Sequence, residues 1–204
     1  MKIGLIVECV PDGPETKVLP ALGNLLREAL DYEIEPLGNK PKVLNDCGRY
    51  AKALIHQSKC DRVLVVWDAR PRWKDEGVEI DPEKEKLKAR ASLDAHGLGK
   101  DARIHLICIV EELEAWLLAD GRGVTARIDQ LRGSRGRLKA RVADAKNVET
   151  IVWPKSTMDN LFRKHEVRGY NDWQDAGHIA GAIPDARKLL KNSRVFPEFQ
   201  SALK

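Results

Sequence analysis

No apolar stretch in the sequence approaches the roughly 18–20 residues that cross a bilayer, which excludes a helical membrane span and any membrane partner of that kind. No CxxC pair is present. The four cysteines, Cys9, Cys47, Cys60 and Cys108, stand far apart, and no Cys/His set has zinc-finger spacing. Reduced thiols in a cytosolic fold are therefore expected, with a reactive thiol left open at Cys9, which follows an acid at a strand end. Neither a GxxxxGK[ST] loop nor a GxGxxG fingerprint occurs, so nothing supports ATP or dinucleotide binding by this chain. GxSxG is missing too, and no Ser/His/Asp set can be assembled. The five histidines show no ligand spacing. Residues 1–7 lack the basic start, long apolar run and small-residue cleavage site of a signal peptide, so a cytoplasmic location is expected. There is no internal repeat and no low-complexity tract.

What is present is a globular composition: 204 residues, 43% hydrophobic and 32% charged. That suffices for one sizeable domain, with or without a small appendage. The formal net charge is +4, and all of the excess lies beyond residue 110. Residues 122–146 alone hold eight Lys/Arg against two Asp. This is a local basic segment in a chain that is otherwise balanced.

Lys2-Ile-Gly-Leu-Ile-Val-Glu8 reads as a short buried strand ending in a carboxylate. A Pro11-Asp-Gly-Pro14 turn and a helix to about Leu30 follow. Residues 32–36 read as a strand, 38–41 as a loop and 49–58 as a helix. Asp61-Arg-Val-Leu-Val-Val-Trp-Asp68 is a continuous apolar run, the pattern of a strand covered on both faces. Residues 69–81 are polar and loop-like, Pro82 opens a helix to His96, and 103–110 form a further strand. Residues 111–120 continue directly as a helix closed by Gly121. Strand and helix alternating through short joints predict an α/β fold with a largely parallel sheet over residues 1–120. Residues 121–204 read as a mainly helical extension packed on that core, with helices at 124–131, 158–165 and 172–191 and a short edge strand at 151–153.

Three strands run straight into acids: Glu8, Asp68, and the cluster of Glu111, Glu112 and Glu114. In an open α/β sheet, ligands sit beyond the carboxyl ends of the strands. Carboxylates distant in sequence can converge there, and converging like charges are costly unless a cation neutralises them. An all-oxygen set suits Mg²⁺ or Mn²⁺, ions that support displacement at a phosphodiester. Such acids also cap the helices that follow strands, so a capping role for Glu112 or Glu114 stays open. On a helix beginning at Glu111, Glu111 and Glu114 share a face, with Glu112 turned about 100° from Glu111.

Ile6-Val-Glu8, Gly13-Pro-Glu-Thr16, Val65-Val-Trp-Asp68 and Glu112-Leu-Glu-Ala-Trp-Leu-Leu-Ala-Asp120 give the chain a resemblance to a family. The arrangement resembles the Toprim (topoisomerase–primase) domain. It is more closely similar to a bacterial Toprim-like branch related to the nuclease domains of the OLD (overcoming lysogenization defect) family. A short Phe-containing helix within residues 193–203 is a further point of likeness. The resemblance implies a Toprim-like, Rossmann-like fold, binding of Mg²⁺ or Mn²⁺, phosphodiester chemistry on DNA or RNA, and an ATPase partner in bacterial defence. Carried over residue by residue, it assigns Glu8, Asp68 and Glu114 to the metal. Glu112 is an added ligand or base.

Two positions depart from the family pattern. The usual Gly after the first Glu is Cys9, and the second Asp of the Asp-x-Asp motif is Arg70. Asp75 or Glu76 can supply the missing carboxylate, or Arg70 can contact a phosphate. Arg132-Gly-Ser-Arg135-Gly-Arg137-Leu-Lys139-Ala-Arg141 is punctuated by glycine and suits contact with a polyanion; the alternative is a solvated face. Lys155, after Trp153-Pro154, matches a late Lys of the family pattern. The charged run 83–90 reads as a solvated helix face, and Trp67 and Trp116 read as packing.

The leading expectation is a Mg²⁺- or Mn²⁺-dependent nuclease. Its first rival, favoured by Arg70, is a Toprim-like module that binds nucleic acid or an ATPase without cleavage. A small-molecule phosphoryl-transfer or hydrolytic enzyme is the third reading; it requires a closed pocket instead of a basic groove.

Overall fold

In the computed structural model, residues 1–70 and 81–204 are described. The apolar runs form four parallel strands: β1 (Lys2–Val7), β2 (Asp31–Pro36), β3 (Arg62–Asp68) and β4 (Ile104–Ile109). Their spatial order is β2-β1-β3-β4. Register places Val7 beside Val66 and Asp68 beside Ile109. Helices α1 (Pro14–Leu26), α2 (Lys40–His56) and α3 (Pro82–Ala95) connect the strands. Six more follow β4: α4 (Leu113–Leu118), α5 (Gly121–Arg132), α6 (Pro154–Lys164), α7 (Asp172–Gly181), α8 (Arg187–Asn192) and α9 (Phe196–Ala202). This is the α/β, Rossmann-like arrangement expected from the sequence. Among the described residues, no helix is long and apolar enough to cross a membrane.

Alternation along the strands sorts the core into two compartments. Ile3, Leu5 and Val7 of β1, with Leu64 and Val66 of β3, face α1 and the helices after β4. Ile6, Val63, Val65 and Trp67 face α2 and α3 on the other side. Trp67 is fully buried there, and its indole N–H donates to Glu85 Oε2 at 2.8 Å. Lys40 Nζ donates to Glu85 Oε1 and to Ala69 O, so Glu85 belongs to a polar cluster and not to a solvated helix face. Trp116 packs edge-on to Phe196, with ring centroids 5.0 Å apart, and also against Phe199. That aromatic cluster fixes α9 to α4 in the first compartment, which spans both the strands and the C-terminal helices.

The elements differ from the sequence reading in several places, among them the end of α1 at Leu26 instead of about Leu30 and the start of α6 at Pro154 instead of 158. Helix α2 starts at Lys40 instead of 49, because Asn39 caps it and Pro41 is tolerated in a first turn. No strand forms at 151–153; Trp153 has φ +59°, which no strand accommodates. Residues 172–191 split into α7 and α8, with Pro184 in the interval. The helix expected from Glu111 begins only at Leu113, since Glu111 has φ +71° and Glu112 takes the N-cap position.

Candidate functional site

Strand order makes the space beyond β1 and β3 the switch point of the sheet, where the connection from β1 departs to one side and that from β3 to the other. Such a crevice is the usual ligand position in open α/β sheets. Glu8 and Asp68 both emerge there, and the Asp68 backbone N–H donates to Glu8 Oε2 at 3.3 Å. Burial pushes the Asp68 carboxyl well above its ordinary range, and the charges of Glu8, Glu15, Glu114 and Glu112 push it further. One strand end thus gathers the field of four other carboxylates.

Each acid arrives by a different route. Glu15 sits in the first turn of α1, which starts after a tight turn closed by a Gly13 N–H to Val10 O bond of 3.0 Å. A Cβ on Gly13 would stand 2.5 Å from Cys9 Cβ, so only glycine permits this turn. Burial raises the Glu15 carboxyl, and its Oε2 is buried with no hydrogen-bond partner. Burial also pushes the Cys9 thiol up, with the Glu15 charge adding to it, which argues against a thiolate there. Glu114 lies in the first turn of α4 and is almost fully buried. Burial lifts its carboxyl to about 7, against the opposing field of Lys155.

Two further groups complete the crevice. Tyr170 donates its hydroxyl to Glu114 Oε1 at 3.1 Å, and its ring packs edge-on against Phe162. Burial raises the Tyr170 phenol well above its usual value, with Glu114 adding to the effect. Lys155 opens α6; its backbone N–H donates to Glu112 Oε2 at 2.9 Å and its ammonium pairs with Asp172. Burial opposes the Lys155 charge, but the Asp172 hydrogen bond and the Glu114 field raise its pKa overall. Sequence reasoning missed Glu15, Tyr170 and Asp172. Glu15 had a signal: it lies in the Gly13-Pro-Glu-Thr16 stretch that carries the resemblance, in the first turn of the helix after β1, but was given no role. Tyr170 and Asp172 had none.

The segment that carries Tyr170 and Asp172 is held by Asp175. This carboxylate is fully buried and accepts from Arg127 Nε (2.8 Å), both Arg168 Nη atoms (2.8 and 2.7 Å) and the Asn171 N–H (2.8 Å). Burial alone would raise Asp175; Arg168, Asn171 and Arg127 outweigh it and hold it below its ordinary value.

Arg70 is engaged inside the protein. Its guanidinium pairs with Glu111 and stacks on the Trp153 ring, 4.1 Å from the centroid. Asp75 and Glu76, the alternative carboxylates, lie outside the described residues. In the basic segment, Arg132 and Arg135 donate to the carbonyls of His165 and Glu166, and Arg141 pairs with Asp144. Arg137 and Lys139 are exposed and have no ion pair among the described residues. Arg137 and Arg141 line an open groove of about 640 Å³ with Arg122, Thr125 and Gln130. Arg132 and Arg135 thus reach the carbonyls just beyond the C-terminal end of α6, the helix whose first turn carries Lys155.

Carboxylate oxygens are the donors a hard divalent cation takes, and the acids here outnumber Lys155. Among the described residues, however, no group of three acidic, His or Cys side chains surrounds a common point.

The fold and crevice define an α/β protein with an acidic site at the carboxyl edge of a parallel sheet. The chain is similar in structure to the C-terminal region of the Burkholderia pseudomallei OLD protein, with a TM-score of 0.48 and 13% identity over 98% of this chain and 96% of that one. No family model and no curated protein matches the sequence.

Proposed function

We propose that the chain is a divalent-cation-dependent phosphodiesterase that cleaves DNA or RNA. The observation that carries this reading is the half-buried Asp68 at the end of β3, whose backbone N–H donates to Glu8 Oε2 at 3.3 Å and whose carboxyl lies within the field of Glu8, Glu15, Glu112 and Glu114. Carboxylates gathered in this way repel one another, and a cation between them removes the cost. Glu8, Asp68 and Glu114 would hold Mg²⁺ or Mn²⁺, with Glu112 beside them. When bound, the ion supplies neutralisation of phosphate charge and a more acidic water. Lys155, released from Asp172, is a cation at the right edge of the crevice for a phosphoryl oxygen. Arg137, Lys139 and Arg141 would carry the flanking backbone of a polyanion, with Arg132 and Arg135 adding field. The same reading includes a cytoplasmic setting and an ATPase partner in bacterial defence.

A second reading is a module that binds nucleic acid or an ATPase without cleaving. It is favoured by the lack of any three-ligand group among the described residues and by the engagement of Arg70 with Glu111.

Purified protein incubated with supercoiled plasmid, single-stranded DNA or RNA, with Mg²⁺ or Mn²⁺, separates the two. Cutting that disappears in Glu8→Ala and Asp68→Ala supports the phosphodiesterase. Cation binding without cutting favours the module. Neither cutting nor cation binding overturns the metal site.

A further inference from the structure

We infer that Arg70 is a positioning residue of the acidic crevice, an internal latch and not a phosphate contact. The inference rests on the reading of the crevice as a cation site.

Three segments meet at this side chain. Arg70 lies two residues after Asp68, at the end of β3. Its backbone N–H donates to Glu111 O at 2.9 Å, extending the β3–β4 ladder beyond the strands. Its guanidinium takes the Glu111 carboxylate with both Nε and Nη2, in a pair whose side chains are only 13% and 10% exposed. Its plane lies on Trp153, just before α6. The first segment carries Asp68, the second Glu112 and Glu114, the third Lys155. The latter two are joined again by the Lys155 N–H to Glu112 contact.

Backbone strain makes the latch necessary. Glu111 has φ +71° and Trp153 φ +59°. Non-glycine residues are strained in this region and persist only where surrounding contacts over-determine them. Arg70 is the contact common to both. Lysine cannot reproduce it, because the role uses a planar fork on one side and a stacked face on the other. The same contacts remove Arg70 from substrate binding. Its charge is neutralised by Glu111, and one face is covered by indole.

The test is Mn²⁺ binding by calorimetry, together with the dependence on monovalent salt of binding to a fluorescent single-stranded oligonucleotide in buffer free of divalent cations. The proteins are wild type, Arg70→Gln, Arg70→Lys, Arg70→Gln/Glu111→Gln and Trp153→Gly. The double variant leaves no buried orphan charge, and glycine accepts the φ of position 153, so neither is expected to unfold. Arg70→Gln should weaken Mn²⁺ binding about 10-fold or more, the range for residues that orient metal ligands. Arg70→Lys should not rescue it, and the double variant and Trp153→Gly should be weakened as well. The oligonucleotide salt slope should stay at the wild-type value. Wild-type Mn²⁺ affinity in the folded double variant and in Trp153→Gly would overturn the latch. So would a slope reduced by about one in Arg70→Gln, the mark of a lost phosphate contact. Absence of Mn²⁺ binding by the wild type itself would overturn the cation site and the latch with it, an outcome distinct from the other two.

Discussion

The Tyr170 hydroxyl donates to Glu114 Oε1 at 3.1 Å, joining the segment before α7 to the first turn of α4 across 56 residues of chain. The bond is partly buried, so its loss leaves an acceptor poorly solvated. Tyr170→Phe should cost about 1–2 kcal/mol. For a domain of this size that lowers Tm by roughly 2–8 °C. A thermal melt followed by circular dichroism measures it, and an unchanged Tm would mean that the bond contributes nothing.

Glu114 gives a pH signature. Burial raises its carboxyl from 4.5 to about 7 in the folded protein. Its protonated form therefore stabilises the fold fully below about pH 4.5, and that contribution is lost as pH rises through about 7. Asp68, also raised by burial, adds the same sign. In cation-free buffer Glu114→Gln should thus gain on wild type as pH rises, by roughly 3 kcal/mol at pH 8 as an upper figure. Urea denaturation at pH 5 and pH 8 compares them. A gap that does not widen with pH contradicts the assignment.

Asp175 should behave in the opposite sense. Asp175→Ala strands two guanidinium groups, those of Arg127 and Arg168, and should cost about 3–5 kcal/mol near neutrality. Because the folded carboxyl is held below its ordinary 3.8, its contribution is present above that value and fades as pH falls through the folded pKa. Denaturant midpoints at pH 7 and pH 3 check this; the cost should shrink at the lower pH.

The basic segment divides into two kinds of arginine. Arg137→Gln should reduce the salt slope of oligonucleotide binding by about one and leave Tm unchanged, as expected for a phosphate contact. Arg132→Gln should lower Tm instead, since its guanidinium holds His165 O at 3.0 Å. Identical behaviour of the two variants in both measurements would refute the division.

Much of the frame was legible in the sequence. Runs such as Val63–Trp67 admit little but a strand covered on both faces, and abrupt endings at Glu8 and Asp68 marked the carboxyl edge of the sheet. Trp67 and Trp116 were read correctly as packing, because alternation and helical spacing are local properties. The errors arose where geometry is set from a distance. Glu111 and Trp153 adopt positive φ without being glycine, and no local propensity announces that. A helix started at Glu111 on paper would have placed it beside Glu114; the observed turn sends it to Arg70. Tyr170 and Asp172 reach the crevice through the packing of α7 on α1, elements about 150 positions apart in the chain, and through the Asp175 bonds that hold their segment.

The division of the core by the sheet has a consequence for how this chain can change over generations. The apolar residues beneath α2 and α3 share no member with the cluster beneath α1 and the C-terminal helices. Glu15, Glu114, Tyr170, Lys155 and Asp172 all belong to elements on the latter side. Substitutions under α2 and α3 reach the site only through Trp67 and Ala69, which flank Asp68, while those on the other side touch the elements that carry the remaining acids directly. Packing changes on the two faces are therefore expected to differ in how many site elements they disturb.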